Sequence, residues 1–357
     1  MPPARRAVLA LVALMATSCT SGSEEPAPPR PFTEALGTVD LDAVAPGGVD
    51  VLDLAPTDDG GALALLGDTA DPAVGYLALL SAEGIGDVRR IDDVGTQLLV
   101  TPDGTALITG PDRLTAVPAD GSAPTVTELD LKGPVTTAAL SPDGRRLYAA
   151  TEPGTLAAVD VANGDVLAET DLEEGLTVHA LAVRQDGGPT ALLSDARAPD
   201  LADVAVLATW DEELEPVDGP VELAPDRPAS IPSALRLADD GTAVATLTAG
   251  SGDDPFRIVT VADGEVTASH AVPGTDRVPA DFAVTPDGRA AHLPVAGFEV
   301  ESGVITLDLA SGEQVGDVRL CDGQATFGRV ALAGDRLTVI GSCITSDAPS
   351  STAFVVG

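Results

Sequence analysis

The sequence predicts an all-β fold made of repeated four-stranded antiparallel units, and three observations carry that prediction. Asp-Gly turns recur along the chain at Gly60, Gly104, Gly144, Gly187, Gly241 and Gly288, with spacings of 44, 40, 43, 54 and 47 residues. An inverted copy, Gly334-Asp335, follows 46 residues after Gly288. Short apolar runs flank the turns, as strands flank a hairpin. Residues 32–357, at roughly 46 residues per repeat, hold about seven units. Repeats of this length with four strands each close into a ring, a seven-bladed β-propeller.

Each element follows from local chemistry. Three turns are fuller than the rest: Thr101-Pro102-Asp103-Gly104, Ser141-Pro142-Asp143-Gly144 and Thr285-Pro286-Asp287-Gly288. Pro presets φ at the first turn position, Asp bonds the neighbouring backbone, and Gly accepts the positive φ that strand reversal demands. Around Ser141 the unit reads as a complete blade, with strands at 136–140, 146–150, 156–161 and 166–170 and a second turn at Asn163-Gly164-Asp165. The long interval of blade 4 contains the acidic insertion Asp211-Glu212-Glu213-Leu214-Glu215-Pro216. The last blade supplies only the runs 328–332, 337–341 and 352–356, so its fourth strand is expected from segment 34–44. Closing the ring with both chain ends leaves no open sheet edge.

Residues 136–170 resemble the YVTN-type β-propeller repeat, in which a Ser-Pro-Asp-Gly turn precedes a strand, a connecting strand ending in Asp, and an Asn-Gly turn. Residues 281–319 resemble it too, through Thr285–Gly288, the strand Val304-Ile305-Thr306-Leu307-Asp308 and the turn Ser311-Gly312. The resemblance implies the fold and says little of function, because such propellers serve binding, scaffolding and several chemistries.

The first residues read as an address. Arg5 and Arg6 form a positive start, Ala7 to Ala16 an apolar run too short to span a bilayer, and Thr17-Ser18-Cys19 a cleavage site. This ending resembles a bacterial lipobox, with Ala16 where Leu is usual. Residues 1–18 are therefore expected to be an export signal peptide and Cys19 the lipidated residue, with plain secretion as the alternative. The paired arginines also match a twin-arginine signal loosely. Residues 19–31, polar and Pro-rich, read as a flexible tether to a folded body at 32–357. The expected location is the outer face of the bacterial membrane. The two remaining cysteines, Cys321 and Cys343, form an even pair in an oxidising compartment. A disulfide between them would contribute roughly 2–4 kcal/mol.

Composition narrows the chemistry. The chain of 357 residues carries 19 Lys or Arg against 56 Asp or Glu, a net charge of −37, and only 3% aromatic residues. Nucleic acid is excluded as a partner, since phosphate affinity comes from clustered Lys and Arg and stacking from aromatic side chains. Lys132 is the sole lysine, has no glycine-rich loop before it, and is the one residue a Schiff-base enzyme would have. The three histidines fall in an innermost strand (His179), an outermost strand (His270) and a second strand (His292), positions that do not converge on a metal. Gly250-Ser251-Gly252 lacks the spacing of a nucleophile elbow. Asp239-Asp240 and Asp253-Asp254 read as solvated loops rather than a calcium site. No metal and no cofactor is indicated.

Arginines stand out in so acidic a chain. Arg113, Arg197, Arg227 and Arg277 fall in loops at the end opposite the Asp-Gly turns, where a ring of guanidinium groups would suit an anion. Pairing with neighbouring carboxylates is the plainer reading of the same residues. Together these features give a monomeric, non-catalytic surface lipoprotein that presents a propeller to a protein or cell-envelope ligand. The alternative is a propeller hydrolase of the lactonase kind, acting on a small anionic substrate in the central funnel.

Overall fold

The computed structural model describes residues 29–357 apart from Asp93, Pro153, 197–203, Pro228, 250–255, 276–277, 297–300 and 345–350. The signal segment, Cys19 and most of the tether lie outside the described residues, as do Asp253-Asp254 and Gly250-Ser251-Gly252.

Seven antiparallel sheets of four strands each form the molecule, in the blade arrangement of a β-propeller. The innermost strands are Val49–Pro56, Gln97–Val100, Val135–Leu140, Leu176–Val183, Ser230–Leu237, Ala283–Val284 and Ala325–Ala333. Six blades are continuous in sequence. Blade 7 is composite: Ala325–Ala333, Arg336–Cys343 and Thr352–Val356 come from the C-terminal end, and Ala35–Asp40 completes the sheet from the N-terminal end. Val39 pairs with Ala353 and Thr38 with Phe354 in that last ladder. The disulfide Cys321–Cys343 joins the outermost strand of blade 6 to the second strand of blade 7, beside this closure.

The blades stack through seven apolar layers, one at each junction. The second strand of blade 3, Arg146–Thr151, shows how the sequence builds them. Its period-two alternation sends Leu147 and Ala149 against blade 2, and Tyr148 and Ala150 against blade 4. Both faces are covered, so middle strands read as unbroken apolar runs. Outermost strands alternate instead; Val166–Asp171 turns Ala168 and Thr170 partly inward and leaves its other residues exposed.

The turns behave as their residues dictate. Gly60, Gly104, Gly144, Gly187, Gly241, Gly288 and Gly334 all have positive φ, between 61° and 92°. In the fuller copies the Ser141 hydroxyl donates to Asp143 Oδ1 at 2.7 Å and Thr285 to Asp287 Oδ1 at 2.6 Å. Each Asp Oδ1 also accepts a backbone N–H two residues on, from Arg145 and Arg289.

Blade 4 departs from the pattern. Its outermost strand is the pair Val221–Glu222, and the acidic insertion occupies the turn before it. Asp211 Oδ1 accepts from the N–H groups of Glu213 and Glu215, which folds the insertion back. Leu214, at φ 65°, is buried with Trp210 in the layer between blades 3 and 4. The insertion is thus partly core, with its carboxylates outward and Glu212 paired to Arg146 at 3.0 Å.

Gly144 and Gly241 separate two costs of a side chain. Both have positive φ, but a Cβ on Gly144 would lie 2.7 Å from Cδ of Pro102 in the neighbouring blade, whereas one on Gly241 would meet open space. Gly241→Ala should lower stability by roughly 1–2 kcal/mol from the left-handed conformation alone. Gly144→Ala should cost measurably more, because the proline ring opposite is rigid. Urea unfolding of the two variants checks the order.

Candidate functional site

A central channel runs between the innermost strands, with a cavity of about 920 Å³. Turn residues Pro56, Asp58, Pro102, Pro142, Asp239 and Pro286 are among its lining, so it opens at the Asp-Gly end of the ring. Deeper in, the polar residues Asp53, Gln97, Thr136, His179, Arg236 and Arg329 line it.

Asp53 and Gln97 among them share one structural place with residues of the other blades. Asp53, Gln97, Thr137 and Asp281 each stand three residues before the end of the innermost hairpin arm, with Ala180, Ala234 and Val330 there in blades 4, 5 and 7 and Arg329 one residue earlier. In blades 1, 3, 4, 5 and 7 a β-bulge immediately precedes that place. A bulge twists the strand and re-aims the following side chain. At three junctions the side chain at this place reaches the next blade, Asp53 after a bulge and Gln97 and Asp281 without one. Asp53 Oδ2 accepts from Leu98 N at 2.7 Å, and Asp281 Oδ2 accepts from Val330 N at 3.0 Å. Gln97 makes both bonds to Ala138, accepting its N–H and donating to its carbonyl, each at 2.7 Å. Arg329 Nε donates to Leu52 O at 3.3 Å and lies 3.4 Å from Asp53 Oδ1, which joins blade 7 to blade 1.

Electrostatics follow from this arrangement. Burial pushes the Asp53 carboxyl above the ordinary carboxylate value, against the opposing pull of Arg329 and the Leu98 N–H. Arg236 is ion-paired with Asp281 across the junction of blades 5 and 6 and lies over the Phe282 ring, 6.0 Å from its centroid. Asp53, Arg236 and Arg329 therefore line the channel already engaged with the scaffold, while Asp281, the partner of Arg236, is buried.

At the mouth the turn aspartates have the opposite character. Hydroxyl bonds from Thr57, Thr101, Ser141 and Thr285 are the main reason the carboxyls of Asp59, Asp103, Asp143 and Asp287 sit below their ordinary value. They stay ionised at any neutral pH.

The residues singled out in the sequence are dispersed. Arg113 opens the third strand of blade 2, 4.0 Å from Asp112, and Arg227 lies in the loop before the innermost strand of blade 5. Arg197 and Arg277 are outside the described residues. Lys132 is held by Glu169 at 2.6 Å and Asp171 at 2.9 Å, which raise its pKa. His179 Nε2 lies 2.9 Å from Ser194 Oγ, and His270 Nε2 donates to Leu309 O at 3.0 Å. His292 Nδ1 lies 3.0 Å from Thr306 Oγ1, and its ring packs against Phe32 with centroids 4.4 Å apart and planes tilted by 43°. Among the described residues no three His, Cys, Asp or Glu side chains are grouped to hold a metal ion. Asp53, Gln97, Asp281, Arg236 and Arg329 were not singled out by sequence reasoning. For Asp53, Gln97 and Asp281, a fixed distance from the turn was the signal that could have found them.

No protein-family model matches the chain, and no curated protein sequence matches it.

Burial lowers the pKa of His292 to about 4. In the unfolded chain its value is near 6.5, so between pH 6.5 and about 4 the unfolded state takes up a proton that the native state refuses. Stability should therefore fall as pH drops through that window, by roughly 3 kcal/mol from this group. In a His292→Gln variant the pH slope of urea unfolding between pH 6.5 and 4.5 should flatten; an unchanged slope would assign it to other groups.

Proposed function

We propose that the chain is an exported, lipid-anchored propeller that binds a partner at the Asp-Gly end of its channel and performs no reaction there. The observation that carries this reading is an open cavity of about 920 Å³ whose deeper charged groups, Asp53, Arg236 and Arg329, are already engaged in joining the blades. A hydrolase needs a base and a polarising group free to change partners during the reaction. Asp53, Asp281 and Arg329 instead bridge neighbouring blades, and moving any of them would loosen a junction. An anion site at the opposite end, from Arg113, Arg197, Arg227 and Arg277, has less support, since Arg113 already has Asp112 beside it.

The export signal and the Pro-rich tether support the anchoring. The Cys19→Ser variant should move from the membrane fraction to the medium or soluble fraction while its circular dichroism stays that of a folded β protein. Membrane retention equal to the wild type would refute lipidation at Cys19.

A further inference from the structure

We propose that the mouth of the channel docks a basic, apolar-tipped segment of a partner protein that lies close to the membrane. This rests on the reading of the chain as an anchored binding module, and it adds what the partner must look like.

The mouth has a layered chemistry. In five blades the residue that ends the innermost arm is apolar and lines the cavity, namely Pro56, Val100, Leu140, Leu237 and Val284, and in blade 7 the penultimate residue Leu332 does so. These residues are exposed or half-buried, so they form an apolar collar open to solvent. The turn prolines Pro102, Pro142 and Pro286 extend the collar outward. Around it lie carboxylates. Asp58 and Asp239 line the cavity and are exposed, and the capped turn aspartates Asp59, Asp103, Asp143 and Asp287 stand beside them. The second turn of each blade faces the same way and adds more acid, including Glu213 and Glu215 of the insertion. An apolar centre with a charged rim is the anatomy of a protein docking site, and here the rim is negative. Polyanions and anionic lipid are repelled by such a rim, whereas a segment with Lys or Arg flanking an apolar tip matches both layers.

The chain ends show where that segment must be. The N–H groups of Thr33 and Glu34 both donate to Gly357 O, at 2.9 and 3.2 Å, so the tether root lies where blade 7 begins its outermost strand. Ala35 pairs with Val356 there, and Val356 pairs with Leu337 just after the Gly334-Asp335 turn. The tether therefore leaves the propeller at the same end as the channel mouth. Residues 20–31, even fully extended, span at most roughly 40 Å. A lipid on Cys19 would hold the mouth within about that distance of the bilayer surface, which makes a membrane-proximal protein the partner within reach.

The test is a fluorescence anisotropy titration of the exported full chain, in mild nonionic detergent, with three short labelled peptides. One alternates Lys with Leu, one Lys with Ser, and one Glu with Leu; each is blanked against detergent alone. The Lys/Leu peptide should bind about ten-fold or more tightly than either other, with affinity falling as salt rises. The exposed pair Asp58→Ser with Asp239→Ser, which holds none of the hydroxyl-capped carboxylates, should weaken it about five-fold. Removing the same charge from outermost strands, by Asp87→Ser with Asp317→Ser, should leave binding unchanged. Equal binding of the Glu/Leu peptide, no binding of the Lys/Leu peptide, or wild-type affinity in the Asp58/Asp239 variant would each overturn the proposal. Failure here with Cys19 lipidated leaves the anchoring intact and removes only the docking; peptide binding with Cys19→Ser still on the membrane does the reverse.

Discussion

Everything in the molecule depends on closing the ring, and five backbone pairings between the two chain ends do this. Ala35–Asp40 pairs with Thr352–Val356 over Ala35, Gly37, Thr38, Val39 and Asp40. A blade alone exposes two apolar faces, and a row of blades exposes one at each end. The pairing removes both ends at once by making the first and last segments into one sheet. Its neighbours reinforce it: Val39, Leu41 and Ala45 fill the layer between blades 7 and 1, while Phe32 enters the layer between blades 6 and 7. The disulfide lies at the same junction and ties the last continuous blade to the composite one.

Closure also decides what the channel can do. Ring geometry brings seven innermost strands together edge-on, and their backbone N–H groups must find partners away from water. At blades 2, 3 and 7 the partners are side chains of the preceding blade, Asp53, Gln97 and Asp281. Polar groups that would mark an active site in an isolated cleft are here part of the wall. The uncommitted chemistry lies at the rim, where the apolar collar meets turn carboxylates kept ionised by their own hydroxyl partners. The proposed docking function rests on which groups the fold has already used.

Much of this was legible in the sequence because it depends on local rules. A Gly after Asp at regular spacing has one economical explanation, and the positive φ at all seven glycines is its direct expression. The short final blade likewise required a strand from elsewhere, and the even pair Cys321 and Cys343 required a partner for each. The channel was not legible. Five β-bulges break the strand period next to the crossing positions, and a bulge leaves no fixed residue signature when its extra position can be Leu52, Thr136, His179 or Ser233; Gln97 and Asp281 cross the junctions from strands without one. Leu214 was hidden for a similar reason: a single leucine among acidic residues looks solvated until Tyr148 of the neighbouring blade and Trp210 of its own offer a surface. The scarce arginines drew attention to the opposite end of the ring, whereas those that reach the channel, Arg236 and Arg329, lie within the strands.

The claim that closure governs the whole ring is tested most directly by native-state hydrogen exchange. The amides of Val39 and Phe354, in the closing ladder, are to be compared with those of Leu147 and Leu156, in the middle of blade 3. If the ring is one cooperative unit, all four exchange with the same free energy and the same urea dependence, since opening the ladder exposes both end faces and unfolds the rest. If Val39 and Phe354 exchange orders of magnitude faster while blade 3 keeps its protection, the ring stands without its closing strand, and the account is wrong at its base.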